Sequence, residues 1–301
     1  MGLTEIIIYL LVVGAFLAFG WMFTGAKTGN EADFGREPGW NRLPWIYRAS
    51  WGFVTLFEDN FGALLSEWFP KAARRYSEEA VTAAVPLTAN RVFATSLIFG
   101  SGGVALGATV GIAIALSNPS VGMALTAVLM LVFGAIGWFW PSQNLAHAAE
   151  IRQAQIIREL PFAIDLIGSA MRSGLEFGAA MRYFTSLKTG GPLEEEFGRL
   201  LADVTLGKSF MSGLKEMAER VRVEAFSSFV GVVSYGMEIG APIAQSLKMH
   251  GADLRRERFN LAERQAAKAP AKMIIPLVLF IMPSVFIIVL TPLIVRLKGS
   301  F

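Results

Sequence analysis

VFATSLIFGSGGVALGATVGIAIALSNPSVGMALTAVLMLVFGAIGWFWPSQNLAHAA, residues 92–149, contains no aspartate, glutamate, lysine or arginine. A bilayer core is about 30 Å thick, so a spanning helix needs roughly 20 apolar residues. This run is too long for one span and fits two, broken at Ser117-Asn118-Pro119-Ser120. Residues 6–26 and 273–295 are also uncharged and fit one span each. Outside these stretches the charges fall in two blocks, 27–91 and 150–272, with Glu5, Arg296 and Lys298 at the extreme ends. No soluble core helix needs this many consecutive uncharged residues. The expected class is therefore an all-α polytopic membrane protein with four transmembrane helices and a cytoplasmic helical-bundle domain.

Lysine and arginine set the expected orientation, because cytoplasmic loops collect them. Block 27–91 holds eight and block 150–272 holds seventeen, whereas the turn at 117–120 holds none. Both blocks are placed in the cytoplasm, the turn outside, and both termini on the periplasmic side. The start of the chain lacks a basic segment and a small-residue cleavage site, so it reads as an uncleaved anchor. There is no cysteine, which excludes disulfides, thiol nucleophiles and cysteine-ligated metal. The two blocks are nearly balanced in charge, unlike a nucleic-acid binder.

These features divide the chain into a first anchor (1–26), a linker with aromatic-rich and charged helices (27–91), a transmembrane hairpin (92–141), a helical domain (142–272) and a last span with its tail (273–301). Trp45, Tyr47, Trp51, Phe57, Phe61, Trp68 and Phe69 crowd the linker. They suit an in-plane helix at the headgroups, or equally a segment packed on the cytoplasmic domain. In the hairpin, Gly103, Gly107 and Gly111 form a doubled GxxxG ridge for close helix or subunit packing. Pro276, Pro283 and Pro292 interrupt the last span, whose freed carbonyls call for packing within protein.

In the domain, apolar residues recur at helical spacing in three stripes: Leu160, Ile164, Ile167, Met171; Leu193, Phe197, Leu200, Leu201, Val204; and Phe226, Phe229, Val230, Val233, Met237. A repeat of 33 residues sets Gly174, Gly207 and Gly240 in register. Each is followed by an apolar residue at +3, a small one at +6 and Met or Leu at +7. Glycine takes the left-handed conformation that ends one helix before the next begins. Three helix–turn–helix units are expected.

Catalytic chemistry finds little support. Gly207-Lys208-Ser209 ends like a phosphate loop, but Ala202 stands where the pattern needs its first glycine, and a helix precedes it instead of a strand. His147 and His250 are isolated, and no nucleophile elbow occurs. The spans contain no ionisable residue, which argues against the alternative reading, a transporter or channel subunit. No catalytic, cofactor or metal residue is therefore assigned. Glu194-Glu195-Glu196 reads as a solvated helix start. Arg255, Arg256 and Arg258 lie on a long helix running into the last span, where they serve as a positive flank or as a docking surface for a cytoplasmic partner.

The run Arg158-Glu-Leu160-Pro161-Phe-Ala-Ile-Asp165-Leu166 with Gly174 resembles the opening of the type II secretion system F domain. The ending Glu263-Arg-Gln-Ala-Ala-Lys268-Ala-Pro-Ala-Lys272-Met273, with the span from Pro276 to Pro283, resembles its close. Within that family the chain looks most like the TadC-type platform of Tad (type IVc) pili. The larger two-copy relatives differ, because 40–91 is short and lacks the opening motif. The resemblance implies a multi-pass platform in the bacterial inner membrane, with no catalytic residues. Its implied partners are a cytoplasmic secretion ATPase, which Arg255, Arg256 and Arg258 would dock, a paralogous TadB-like subunit and pilin subunits. A homo- or hetero-oligomer is implied.

Overall fold

Helix is the only regular element among the residues described by the computed structural model, which are 42–117, 119–240 and 242–298. The uncharged run forms α4 (Ala89–Ser117) and the start of α5 (Pro119–Arg172). Before them lie α1 (Trp45–Phe57), a π-helical turn (Glu58–Gly62), α2 (Ala63–Trp68) and α3 (Pro70–Ala83). After them come α6 (Phe177–Ser186), α7 (Pro192–Thr205), α8 (Phe210–Val221), α9 (Glu224–Ile239), α10 (Ile243–Ala267) and α11 (Ala269–Lys298).

Among the described residues three stretches are long and apolar enough to cross a membrane: Ala89–Leu116, Met123–Arg172 and Ile243–Pro292. They hold three of the four expected spans; the fourth, at 6–26, lies outside the described residues. At 1.5 Å per residue, the 54 residues of α5 extend about 80 Å. A bilayer core takes about 30 Å of that. The helix runs through Pro141 and Pro161, so hairpin and bundle share one rod.

The glycine ridge is occupied within the chain. A Cβ at Gly107 would stand 2.6 Å from the Leu129 carbonyl oxygen, and one at Gly111 2.6 Å from Thr126 Cα. One at Gly103 would overlap the Phe133 carbonyl, and from the other side Gly137 meets the Phe99 carbonyl in the same way. The ridge thus serves close packing of α4 on α5.

The bundle core unites all three stripes. Leu160, Ile164, Ile167, Leu193, Phe197, Leu200, Phe226, Phe229 and Val233 are buried together, with Met171, Leu201, Val204 and Met237 at the edge. Phe184, Phe197, Phe226 and Phe229 stack through ring centroids 5.4 to 6.4 Å apart. Gly174, Gly207 and Gly240 have φ of +97°, +98° and +66°. The +3 residues Phe177, Phe210 and Ile243 each open a helix. The +7 residues Met181, Leu214 and Leu247 are fully buried. The third unit departs from the first two. After α10 there is no reversal, only a break at Lys268 before α11 carries the chain onward.

Prolines in the last span led to the expectation of a protein-packed helix. Here each described side chain from Met273 to Pro292 is exposed, so the described chain does not provide that cover.

Candidate functional site

The place where the two routes into the membrane meet is the crossing of α5 and α10. Gly251 makes it close: a Cβ there would lie 3.1 Å from Ile164 Cγ2 and 3.2 Å from Asp165 Oδ1. Leu247 is buried one turn earlier, beside Gly168. Two arginines then tie the helices together. Arg255 pairs with Asp165, and Arg258 donates to the Ile157 carbonyl. The second bond answers a defect. Pro161 has no N–H, so it cannot supply the ladder bond to the carbonyl four residues before it, which is that of Ile157. The guanidinium takes the missing donor's place.

Of the three arginines expected to dock a partner, Arg255 and Arg258 thus face α5. Arg256 is exposed on α10. Pro161 and Asp165, quoted above for the family resemblance, are the residues these two arginines serve.

A second cluster was missed by sequence reasoning. Arg152, on α5, reaches Glu195 at 3.1 Å and Glu196 at 3.0 Å. Arg220, on α8, approaches Glu196 at 3.3 Å. The Arg152 and Glu196 side chains are 8% and 7% exposed, so this is a desolvated network. Glu195 is more open and also pairs with Arg42. The solvated helix start expected at Glu194–Glu196 is corrected: the acids begin α7, but Glu196 turns inward because its helical position lies on the stripe of Leu193, Phe197 and Leu200. Glu194 remains local, accepting from the Gly190 N–H at 2.7 Å.

Glu159 caps the same end of α7, accepting the Leu193 N–H at 3.1 Å. Burial pushes its carboxyl above the ordinary range, and the Leu193 bond only partly opposes this. A side chain at Gly191 would collide with that carboxylate.

The Arg152–Glu196–Arg220 network borders a cleft of about 1090 Å³ between α3 and the bundle, lined also by Arg42, Glu78 and Arg199 among others. The far wall is held by Arg222 on Glu78 at 2.7 Å, which draws the Glu78 carboxyl below its usual range. Thr82 donates to the Arg220 carbonyl at 3.2 Å. The cleft therefore sits at a fastened joint between the linker helices and the bundle. Arginines and glutamates balance around it, with no single-sign field to draw an ion.

Lys208, the lysine of the phosphate-loop-like triplet, is held by Glu216 and by Asp203 at 3.6 Å, and Gly207 ends a helix. Among the described residues no group of three or more His, Asp or Glu side chains could hold a metal ion.

Residues 163–291 match the family model described as Type II secretion system (T2SS), protein F. The match runs from the α5–α10 crossing through the bundle into the last span and supports the T2SS F family for this part of the chain. Proteins of that family are membrane platforms of secretion and pilus-type machinery, generally not enzymes, and typically work with secretion ATPases and pilins. No curated protein and no solved structure matches the chain.

Proposed function

We propose that this protein is a non-enzymatic inner-membrane platform of a Tad (type IVc) pilus or a related secretion machine. It couples a cytoplasmic ATPase to the extrusion or assembly of pilin subunits. The observation that carries this reading is the family match over residues 163–291, which covers both the bundle and the span that continues from it. The geometry suits force transfer. One rod, α5, links bundle to hairpin, and α10 continues into α11 with only Lys268 between them. Where the two cross, Arg255 and Arg258 fix their angle. Motion imposed on the bundle would therefore reach three spans together. A paralogous subunit would complete the platform.

The ATPase docks on the outer face of α10, with Arg256 as its charged contact. Reversing Arg255, Arg256 and Arg258 together would confuse docking with loss of the clamp. Arg256→Glu separates them. In cells it should abolish piliation and co-purification with the secretion ATPase, while membrane insertion and bundle stability stay unchanged. The charge exchange Arg255→Asp with Asp165→Arg should keep both. Normal piliation and ATPase capture by Arg256→Glu would remove the docking surface.

A further inference from the structure

The segment 45–69 changes character along its length. In α1, Ile46, Tyr47, Trp51 and Val54 lie inward, and the Tyr47 hydroxyl donates to the Pro141 carbonyl at 2.8 Å. From the end of α1 onward an apolar stripe is bare. Phe57, Phe61, Leu64 and Trp68 are exposed by 39%, 52%, 49% and 72%. Their spacing of four, three and four residues makes one continuous helical stripe, kept in line across the π-helical turn.

The level of this stripe is fixed by contacts at the mouth of the hairpin. Glu58 pairs with Arg91 at 2.7 Å and accepts from Thr88 at 3.0 Å. The Arg91 guanidinium lies 4.4 Å from the Trp51 ring centre. Gly62 is pressed on α4, where a Cβ would stand 2.5 Å from the Asn90 carbonyl oxygen. Residues 88–91 are the last before the uncharged run begins at Val92. Pro141, on the other helix, directly follows exposed Trp140. Trp45 joins Trp140, Phe99 and Ile136 along an apolar groove of about 360 Å³ on the outside of the hairpin. The bare stripe is thus held at the level where α4 begins its uncharged run, on the same side of the chain as the charged contacts of Glu58 and Arg91.

We propose that Phe57, Phe61, Leu64 and Trp68, flanked by Trp45 and Phe69, form an interfacial anchor that lies in the headgroup layer of the leaflet at which α4 enters. The occupant of this face is the lipid surface. Aromatic rings favour that layer, and a helix with one apolar face lies in its plane. Lys71 and Arg74, exposed on the next turns, are positioned for lipid phosphates. The anchor would hold the base of the hairpin while the bundle moves beneath it. This inference rests on the linker and hairpin and does not depend on the proposed partner ATPase.

The chain has no cysteine, so a single introduced thiol carries a nitroxide label cleanly. Leu64→Cys and Trp68→Cys are made in the full chain and reconstituted in phosphatidylcholine–phosphatidylglycerol vesicles. Collision rates with oxygen, which partitions into lipid, and with a water-soluble nickel chelate are compared. Ile136→Cys on the hairpin supplies the lipid reference, and Leu206→Cys, on a bundle turn, the aqueous one. Both linker labels should fall between the two references, with oxygen access raised and nickel access lowered relative to position 206. Collision rates equal to those at position 206 would overturn the anchor. So would shielding from both reagents, which would mean that protein covers the face.

Discussion

Glu196→Gln is the sharpest test of what holds the bundle to the long rod. Glutamine preserves volume and one acceptor but removes the charge that faces Arg152 at 3.0 Å and Arg220 at 3.3 Å. Removing one partner of a buried ion pair costs about 3–5 kcal/mol, because the remaining charge is left in low dielectric. The low end applies here. Arg152 keeps Glu195 at 3.1 Å, and the Arg220 side chain, 15% exposed, retains some access to water. Glu195 itself is a poorer target: at 38% exposure its pairs resemble surface bridges worth about 0–1 kcal/mol.

The readout is the protection of one thiol. Ala180 is fully buried in the bundle core, so Ala180→Cys places the chain's sole cysteine there. Under native conditions it reacts only when the bundle opens. A loss of about 3 kcal/mol raises the open fraction about 150-fold, since 1.4 kcal/mol is a factor of ten. Labelling of the Glu196→Gln protein in detergent or nanodiscs should accelerate by about that factor. A second variant separates charge from packing. Arg152→Met with Glu196→Leu and Arg220→Met removes all three buried charges, and replacing buried ionic groups by apolar ones is often close to neutral. It should recover most of the protection. An unchanged labelling rate in Glu196→Gln, or a triple variant worse than the single, would refute the assignment of a desolvated network.

Three further outcomes follow from particular contacts. Gly107→Ala should loosen the hairpin by about 1–3 kcal/mol, because the new methyl meets backbone at Leu129 and Met130 that cannot rotate away; Gly198→Ala, with open space in α7, should instead stabilise the bundle by up to about 1 kcal/mol, both read from thermal melts. Tyr47→Phe should cost about 1 kcal/mol by removing the hydroxyl from the buried Pro141 carbonyl, again read as a lower melting temperature. Acid should act oppositely at two joints. The depressed Glu78 contributes stability above the ordinary carboxylate range that is lost as pH falls through its lowered value, so α3 amides should exchange faster. The raised Glu159 contributes stability at low pH that is lost as pH rises through its folded value, so Glu159→Gln should flatten the pH dependence at the start of α7.

Local pattern was enough for the three described candidate spans and the bundle core. The uncharged run read as two helices because lipid solvation leaves no choice, and the stripes read as core because burial repeats with the helical period. The glycine repeat was legible for the same reason: positive φ is a local demand, met at Gly174, Gly207 and Gly240 alike. What escaped was pairing between distant elements. Arg152 and Glu196 lie 44 positions apart, and their ion pair has no motif. A trace of it was present. Arg152 stands four residues before Ile156 and eight before Leu160, on the buried stripe of α5, while Glu196 lies three after Leu193 and four before Leu200. A charge on an apolar stripe demands a partner, and two such charges of opposite sign point to each other.

The same logic revises the arginines of α10. Read singly, Arg255 and Arg258 are surplus positive charge beside a membrane. Set against α5, each meets a specific deficit: an exposed carboxylate at Asp165 and the carbonyl that Pro161 leaves without its helical donor. Proline in the middle of a helix is costly wherever it falls. At position 161 the missing bond is supplied by another helix, so the break becomes a fastening. The consequence is mechanical. α5 and α10 are joined at one crossing by the Gly251 contact and by these two arginines. In the proposed platform, a force on the bundle would be shared through it between the hairpin and the last span.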